Sequence, residues 1–430
     1  MMEKIIRCLD WKDWLALGVI ALLSLVYFNG LLSVPFHPDE ATQIYMSKDA
    51  SLYIQGPLSL SWEGNLPLTA EERYRAIDAP LSRYLIGTAR GLTSTPALVS
   101  DWDWSGSWSE NEAAGALPSQ RQLLIARCAC TVTLLAGLLF YYPAVKKTLP
   151  GLLAIFSLIL LGLHPLILLH GRRAMSEAAL VFGVAFFLWA ALQDKRSPWL
   201  IGLALGLALN AKHTAIGLLP AGVLAVSLLP KEEASPKRIA GRITRFLLAA
   251  GLIVAILNPF YWKTPYQALQ TGLQTRITLS ARQRADHGQI LGLEEVNLPV
   301  RAAAMLSHTF LSPPQTEEVG NYLADTRQSK QEYFENPLHS WNQVWLIGTI
   351  LLILSLVGFT FSLRGGKGFS GQRGPKTLIW ILTSGGTFLA VLLPLPWQRY
   401  IIPMLPVVAY WAAAGLLPLY IKLGPDNLTR

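Results

Sequence analysis

Apolar residues run in ten continuous segments along this chain and do not alternate with polar ones. The segments lie at about 15–36, 123–142, 150–169, 175–192, 199–211, 214–229, 246–260, 342–363, 377–395 and 400–421. A bilayer interior leaves backbone N–H and C=O groups no water to bond, so a crossing segment must be a helix or part of a closed barrel. Continuous runs of this length favour helices, and the alternation expected of barrel strands is missing. The pattern predicts an all-α polytopic membrane protein with about ten transmembrane helices. One stretch is ambiguous. Residues 199–229 are either one long tilted helix or two short ones broken at Asn210-Ala211-Lys212-His213.

Charge separates these alternatives. With a break, Lys4, Arg7, Lys12, Lys146, Lys147, Lys195, Arg196, Lys231, Lys237, Arg238, Arg242, Arg245, Arg364, Lys367, Arg373, Lys376, Lys422 and Arg430 share one side. The short loops of the other side hold Arg172, Arg173, Lys212 and Arg399. This is the positive-inside bias. An unbroken helix would move the basic stretches 231–245 and 364–376 outside. The broken pair is therefore expected, with both termini cytoplasmic in a multi-pass cell-membrane protein. Residues 37–120 and 261–341 then form two long extracytoplasmic loops within one membrane domain, 1–430. A mere connector would not need such length, so the loops are expected to fold.

Composition agrees: 52% of residues are hydrophobic and 15% charged, too few charges for a soluble chain of this size. The net charge of +9 lies in short loops between apolar runs, which argues against nucleic acid as a partner. Cys8, Cys128 and Cys130 lack a zinc or redox spacing and read as packing residues. The first segment is too long for a signal-peptide core and no small-residue cleavage site follows it, so it reads as a retained anchor. In the first loop, Asp78-Ala79-Pro80 predicts a capped helix start, with Leu81, Tyr84, Leu85 and Thr88 on one face of an interfacial helix. Trp102, Trp104 and Trp108 fit either headgroup depth or a small cluster inside the loop.

The candidate chemistry begins with Phe36-His37-Pro38-Asp39-Glu40, at the outer end of the first segment. Carboxylates at a membrane surface are costly unless solvated, paired or used. Asp39 and Glu40 are either a helix-end pair facing water or a base able to deprotonate an acceptor hydroxyl. Cations lie on the same side. Arg172 and Arg173 precede Glu177, Lys212 sits in the helix break, and Arg399 precedes the last segment. Arg suits phosphate through its bidentate fork, although snorkelling at helix ends accounts equally for these positions. His37, His164, His170 and His213 show no metal-ligand spacing. Asp39, Glu40 and Glu177 together could hold a divalent ion. The chain has no Walker loop, and Gly365-Gly366-Lys367-Gly368 reads as a flexible basic connector.

In their order these residues resemble the GT-C integral-membrane glycosyltransferases, especially glycosyltransferase family 39 and its bacterial relatives. The relatives include protein O-mannosyltransferases and the lipid A aminoarabinose transferase. His37-Pro38-Asp39-Glu40 is similar to the family's acidic motif after the first span, and Ala79-Pro80-Leu81 to its P-P-L segment. Arg172 to Glu177 resembles the stretch that opens the fourth span. Gly202 to Pro220 resembles a small-residue helix leading to a Lys. Asn258-Pro259-Phe260-Tyr261-Trp262 and Arg399-Tyr400-Ile401-Ile402-Pro403 are similar to the later motifs. The resemblance implies a GT-C-type fold whose two outer loops carry interfacial helices. It also implies sugar transfer from a polyprenyl-phosphate carrier, with inversion, to a hydroxyl of a lipid, glycan or protein. The sugar would be a hexose or pentose.

Asp39 would be the base, with Glu40 and Glu177 beside it. Arg172, Arg173, Arg399, Lys212 and Arg83 would hold the donor phosphate among membrane lipids. Relatives carry Lys or His before the two prolines, where this chain has Asp78-Ala79, so Arg75 or Arg83 is expected to replace that contact. Glu177 stands where Asp is common. No further domain is expected after residue 421, which leaves acceptor recognition to the outer loops or the membrane. Two other classes stay open. A secondary transporter would also use a broken helix and intramembrane charges, though repeats are missing. A non-catalytic glycan- or lipid-binding membrane protein would tolerate Asp39→Asn.

Overall fold

The computed structural model describes residues 10–229, 235–291, 297–318, 320–341, 345–363, 373–393 and 397–423, all helix, turn or irregular chain with no strand among them. The expectations for Lys4, Arg7, Cys8, Lys231, Arg364, Lys367, Arg430 and the 365–368 connector concern residues outside these.

Helices occupy all ten predicted segments. Among the described residues five helices are long and apolar enough to cross a membrane by length and composition: Trp11–Asn29, Gln120–Lys146, Pro236–Leu257, Trp345–Leu363 and Gln398–Leu423. Four others, Gly151–Gly162, Glu177–Leu192, Pro198–Ala211 and His213–Ser227, are apolar but shorter. The expected ends shift for local reasons. The first helix starts early because Asp10 and Asp13 form a reciprocal capping box, and it stops at Gly30. The third segment breaks at His164-Pro165, where the imidazole accepts from Leu166 N. The 199–229 stretch breaks where expected. Lys212 is extended between Pro198–Ala211 and the 3₁₀ turn His213–Leu218, which continues as Leu219–Ser227.

Glu177–Leu192 packs between Gln120–Lys146 and Pro198–Ala211, and Pro198–Ala211 packs in turn on Pro236–Leu257. Without a hydrophobic driving force between helices in lipid, small residues that admit close approach matter. A Cβ at Gly183 would lie 2.6 Å from Ala208 Cα, and one at Gly202 would lie 2.3 Å from Phe246 O. The last span, Gln398–Leu423, is 83% buried over its apolar window, whereas Trp345–Leu363 is 22% buried. Leu346, Ile350 and Ile353 face outward, as a lipid-facing surface requires.

The first long loop carries Pro38–Met46, Asp49–Gln55, Ala70–Ile77, Leu81–Leu92 and Trp108–Ala113. The second carries Pro265–Leu291, Leu298–Phe310 and Arg327–Glu335. The loops bind each other. Trp62 stacks on Phe260 with ring centres 5.8 Å apart and donates its backbone N–H to Phe260 O. Trp102 Nε1 donates to Asn321 Oδ1 at 3.0 Å.

Two local expectations are corrected here. Asp78 ends the helix Ala70–Ile77 and does not cap Leu81–Leu92, which begins after Pro80 with no side-chain cap. The buried face of Leu81–Leu92 is Ser82, Arg83, Ile86 and Arg90, because Asp49 and Ser47 give its arginines partners inside. Leu81, Tyr84 and Leu85 are half-buried and Thr88 is exposed. Trp102 and Trp108 form a cluster with Phe36, ring centres 5.6–5.8 Å apart, while Trp104 stays more exposed. Cys128 and Cys130 are free thiols, the latter buried.

Candidate active site

His37 begins the helix Pro38–Met46. Its imidazole accepts from Asp39 N at 3.1 Å, and Glu40 reaches back to His37 N at 3.2 Å. Pro38 in the first turn fits a helix start. This local geometry sends the two neighbouring carboxylates in different directions.

Glu40 points inward and is fully buried. Arg127 grips it bidentately, Nε to Oε1 at 2.8 Å and Nη2 to Oε2 at 2.7 Å. Ala174 N also donates to Oε1 at 2.8 Å. Arg127 Nη1 donates to Leu31 O and Val34 O. The clasp ties the first span, the acidic motif and Gln120–Lys146 together. Burial would raise the Glu40 carboxyl, but Arg127, Arg173 and Ala174 N outweigh it and hold it low. Arg127 was missed in the sequence, although an arginine inside an apolar segment is itself a signal of a buried partner or site.

Asp39 points the other way and keeps 33% of its side chain accessible. Its carboxylate pairs with Arg399, which also holds Glu318 of the second loop, Nε to Oε1 at 2.9 Å. Burial raises the Asp39 carboxyl, but Arg399, then His37 and Lys212, more than offset it and hold it at about 2. Asp39 is therefore charged throughout the physiological range. His37 is lowered to about 3 by burial, with Arg173 and Arg399 adding to it against Asp39 and Glu40. Its 3.8 Å approach to Asp39 is thus that of a neutral imidazole and not an ion pair. Glu318 is pushed up by burial and by Asp39 and Glu177, against Arg399. Nothing local in Glu317-Glu318 marked it in the sequence; only the fold of the second loop brings it here.

The remaining candidates divide. Lys212, freed by the helix break, pairs with Glu177 at 2.5 Å and lies 5.2 Å from the Tyr400 ring centre. Glu177 is buried. Arg172 and Arg173 are buried and already engaged. Arg172 donates to Leu168 O, to Tyr333 OH at 3.2 Å and meets His339 Nε2 at 2.9 Å. Arg173 donates to Pro35 O at 3.1 Å and Thr316 O at 2.6 Å. Their packing ties the second outer loop to the chain just before the acidic motif. Arg75 binds Asp49 bidentately at 2.6 and 3.0 Å, and Arg83 Nε lies 3.3 Å from the same carboxylate.

Asp39, Glu40 and Glu177 do not form a metal-ligand set. Among the described residues no group of three or more His, Cys, Asp or Glu side chains is arranged to hold an ion. Glu40 is taken by Arg127 and Glu177 by Lys212. Beside this cluster several buried polar atoms have no partner among the described residues: Glu177 Oε2, Arg173 Nη1 and both ring nitrogens of His170. Such atoms are costly unless something polar meets them. The arrangement can hold an anion or a hydroxyl against a charged carboxylate.

The fold and the sequence each find counterparts at this point. A family model described as dolichyl-phosphate-mannose-protein mannosyltransferase matches residues 72–269. The archaeal oligosaccharyltransferase AglB from Archaeoglobus fulgidus, in complex with an inhibitory peptide and a dolichol-phosphate, superposes with a TM-score of 0.50 and 14% identity. That match covers 98% of this chain and 52% of the other. The same organism's oligosaccharyltransferase, tethered to an acceptor peptide, gives a TM-score of 0.52 at 12% identity over 98% and 51%. ArnT from Cupriavidus metallidurans, bound to undecaprenyl phosphate, gives 0.50 at 14% over 98% and 62%. The chain thus spans about half to three-fifths of the length of these structures. No curated protein matches it in sequence. The architecture is that of the GT-C membrane glycosyltransferases, and the resemblance read from the motifs holds.

Proposed function

We propose that this protein is a glycosyltransferase that moves a sugar from a polyprenyl-phosphate carrier to a hydroxyl acceptor, with Asp39 as the base. The observation that carries the proposal is Asp39 itself. It is a charged, accessible carboxylate paired with an arginine that also binds a second carboxylate, inside this fold.

The proposed reaction uses that arrangement. Asp39 takes the proton of the acceptor hydroxyl as its oxygen bonds to the anomeric carbon. The carbon–oxygen bond to phosphate breaks on the opposite face, and its electron pair leaves with the phosphate, so the product is inverted. Phosphate leaves well as an anion, which removes the need for a strong general acid. While Arg399 grips Asp39, the carboxylate is a weak base. A donor phosphate offers Arg399 a competing anion, and loosening the grip restores basicity when the donor is in place. Lys212 and Arg399 are the cations nearest this event. Arg172, Arg173 and Glu40 act by holding the loops and motif in position. The reaction is assigned to the extracytoplasmic face, which the charge bias of the short loops supports.

The test is transfer of label from polyprenyl-phosphate sugars by the purified protein, wild type beside Asp39→Asn, with a membrane extract as acceptor source. Transfer by wild type alone is expected, and the labelled product then names the acceptor. Equal transfer by both removes Asp39. Solute counterflow in liposomes without any transfer would select a transporter instead.

A further inference from the structure

The first loop carries a large aromatic that the fold holds still but leaves uncovered. Trp102 is 3% exposed and Trp104 44%. A single exposed ring is ordinary, but this one is fixed by both outer loops. Asn111 of the first loop, itself buried, accepts from Asp103 N at 2.7 Å and donates to Asp103 O at 2.9 Å. Asn321 of the second loop donates to Asp103 O at 2.8 Å and to Gly106 O. The backbone on either side of Trp104 is thereby pinned. Gly320 lies against the indole. Its φ is +143°, and a Cβ there would come 3.0 Å from Trp104 Cζ3, so only glycine fits under the ring. A ring already held still loses little freedom when it binds.

Two ring contacts join Trp104 to the acidic motif. Its ring centre lies 6.2 Å from that of Tyr322, and the Tyr322 ring lies 5.5 Å from that of His37. His37 begins the helix that presents Asp39. The indole thus stands within reach of Asp39 for a ligand of a few linked rings.

The surroundings of Trp104 are acidic. Residues 91–120 include Asp101, Asp103, Glu110 and Glu112 and no Lys or Arg. The carboxylates of Asp103 and Glu110 converge two residues from Trp104: a Cβ at Gly106 would lie 3.7 and 3.6 Å from them. Such a patch repels the phosphates of lipid headgroups and favours a partner rich in hydroxyl donors. The C–H face of a sugar ring suits the negative face of an indole, and its hydroxyls suit carboxylate acceptors. A peptide would be read by strand addition or by apolar pockets. No strand occurs among the described residues, and Trp102 and Tyr322 beside Trp104 are buried.

We propose that Trp104 is the stacking platform for a neutral saccharide acceptor, with Asp103 and Glu110 accepting hydrogen bonds from its hydroxyls. This rests on the transferase reading above and names the acceptor class as a glycan.

The experiment titrates linear neutral oligosaccharides of increasing length, from the manno and gluco series, into the full-length protein in a detergent without a sugar headgroup. Binding is read by saturation-transfer NMR, which needs no turnover. Wild type is compared with Trp104→Ala, Trp104→Phe and the surface variant Leu92→Ala, which changes a side chain that is 84% exposed. Wild type should bind, more tightly with length. Trp104→Ala should weaken binding by about tenfold or more at an unchanged melting temperature, Trp104→Phe should keep part of it and Leu92→Ala all of it. In the transfer assay Trp104→Ala should raise the KM for acceptor and leave that for donor unchanged. A wild type that binds no oligosaccharide, or a Trp104→Ala protein that binds them as wild type does, overturns the proposal and leaves the transferase reading intact. Quenching by brominated phospholipid in nanodiscs that disappears in Trp104→Ala puts the ring in the membrane and overturns it. So does tighter binding of a Ser- and Thr-containing peptide that Trp104→Ala abolishes, which makes the partner a protein. Saccharide binding through Trp104 without any transfer from polyprenyl-phosphate sugars removes the transferase reading and leaves the saccharide platform standing.

Discussion

Glu40 and Asp39 are consecutive residues with opposite surroundings. The region around Glu40 is a sealed clasp in which every strong acceptor position is used by Arg127, Ala174 N or His37 N. The region around Asp39 is accessible, shares its arginine with a second carboxylate and has unpartnered polar atoms nearby. A sealed and an open setting are thereby divided between two side chains that sequence alone treats as a pair. A helix start explains how: successive residues in the first turn point about 100° apart, so one reaches the core and the other the open side.

Substitutions at the two positions should therefore fail differently. Asp39→Asn is expected to lower transfer by about 10²–10⁴-fold, the usual worth of a general base, with the melting temperature little changed. If it unfolds the protein instead, the division is wrong. Glu40→Ala leaves Arg127 buried and unpaired, a loss expected to cost about 3–5 kcal/mol. Loss of monodisperse protein and of thermal stability would show it, and Arg127→Ala should behave alike. A Glu40→Ala protein that folds normally but is inactive would move Glu40 into the chemistry.

Gly183→Val tests the core beneath both regions. Overpacking against Ala208 should cost about 1–3 kcal/mol, read as a lower melting temperature with an unchanged KM for any folded fraction. Smaller still is the response to acid. Asp39 is depressed from its ordinary 3.8 to about 2, so its pairing contributes stability fully present above about pH 4. That contribution is lost as pH falls towards about 2. Thermal unfolding between pH 5 and 2 should lose one protonation step in Asp39→Asn relative to wild type. Finally, Glu318→Gln removes one anion from Arg399 and should lower the KM for donor severalfold; a raised KM would make Glu318 a donor contact.

Much of the architecture was legible beforehand because hydrocarbon imposes it. Apolar runs had to be helices, and the charge bias of the short loops marked the break at Lys212. Asp39 stood out because carboxylates at a membrane edge are rare. Arg127 could have been read from its place inside an apolar segment. Glu318 could not, since it lies in a polar loop where charged residues are ordinary.

The sequence by itself determined the helical membrane class, the broken element at Lys212, the acidic motif and the resemblance to GT-C transferases. These follow from local composition and order along the chain, which need no knowledge of packing. The tertiary structure alone decided which carboxylate is sealed and which is accessible. It also decided which partners Arg172 and Arg173 bind, and that Glu318 reaches Arg399 from the second loop. Such partnerships join residues tens to hundreds of positions apart, and an ion pair leaves no periodic trace in the sequence to announce its partner.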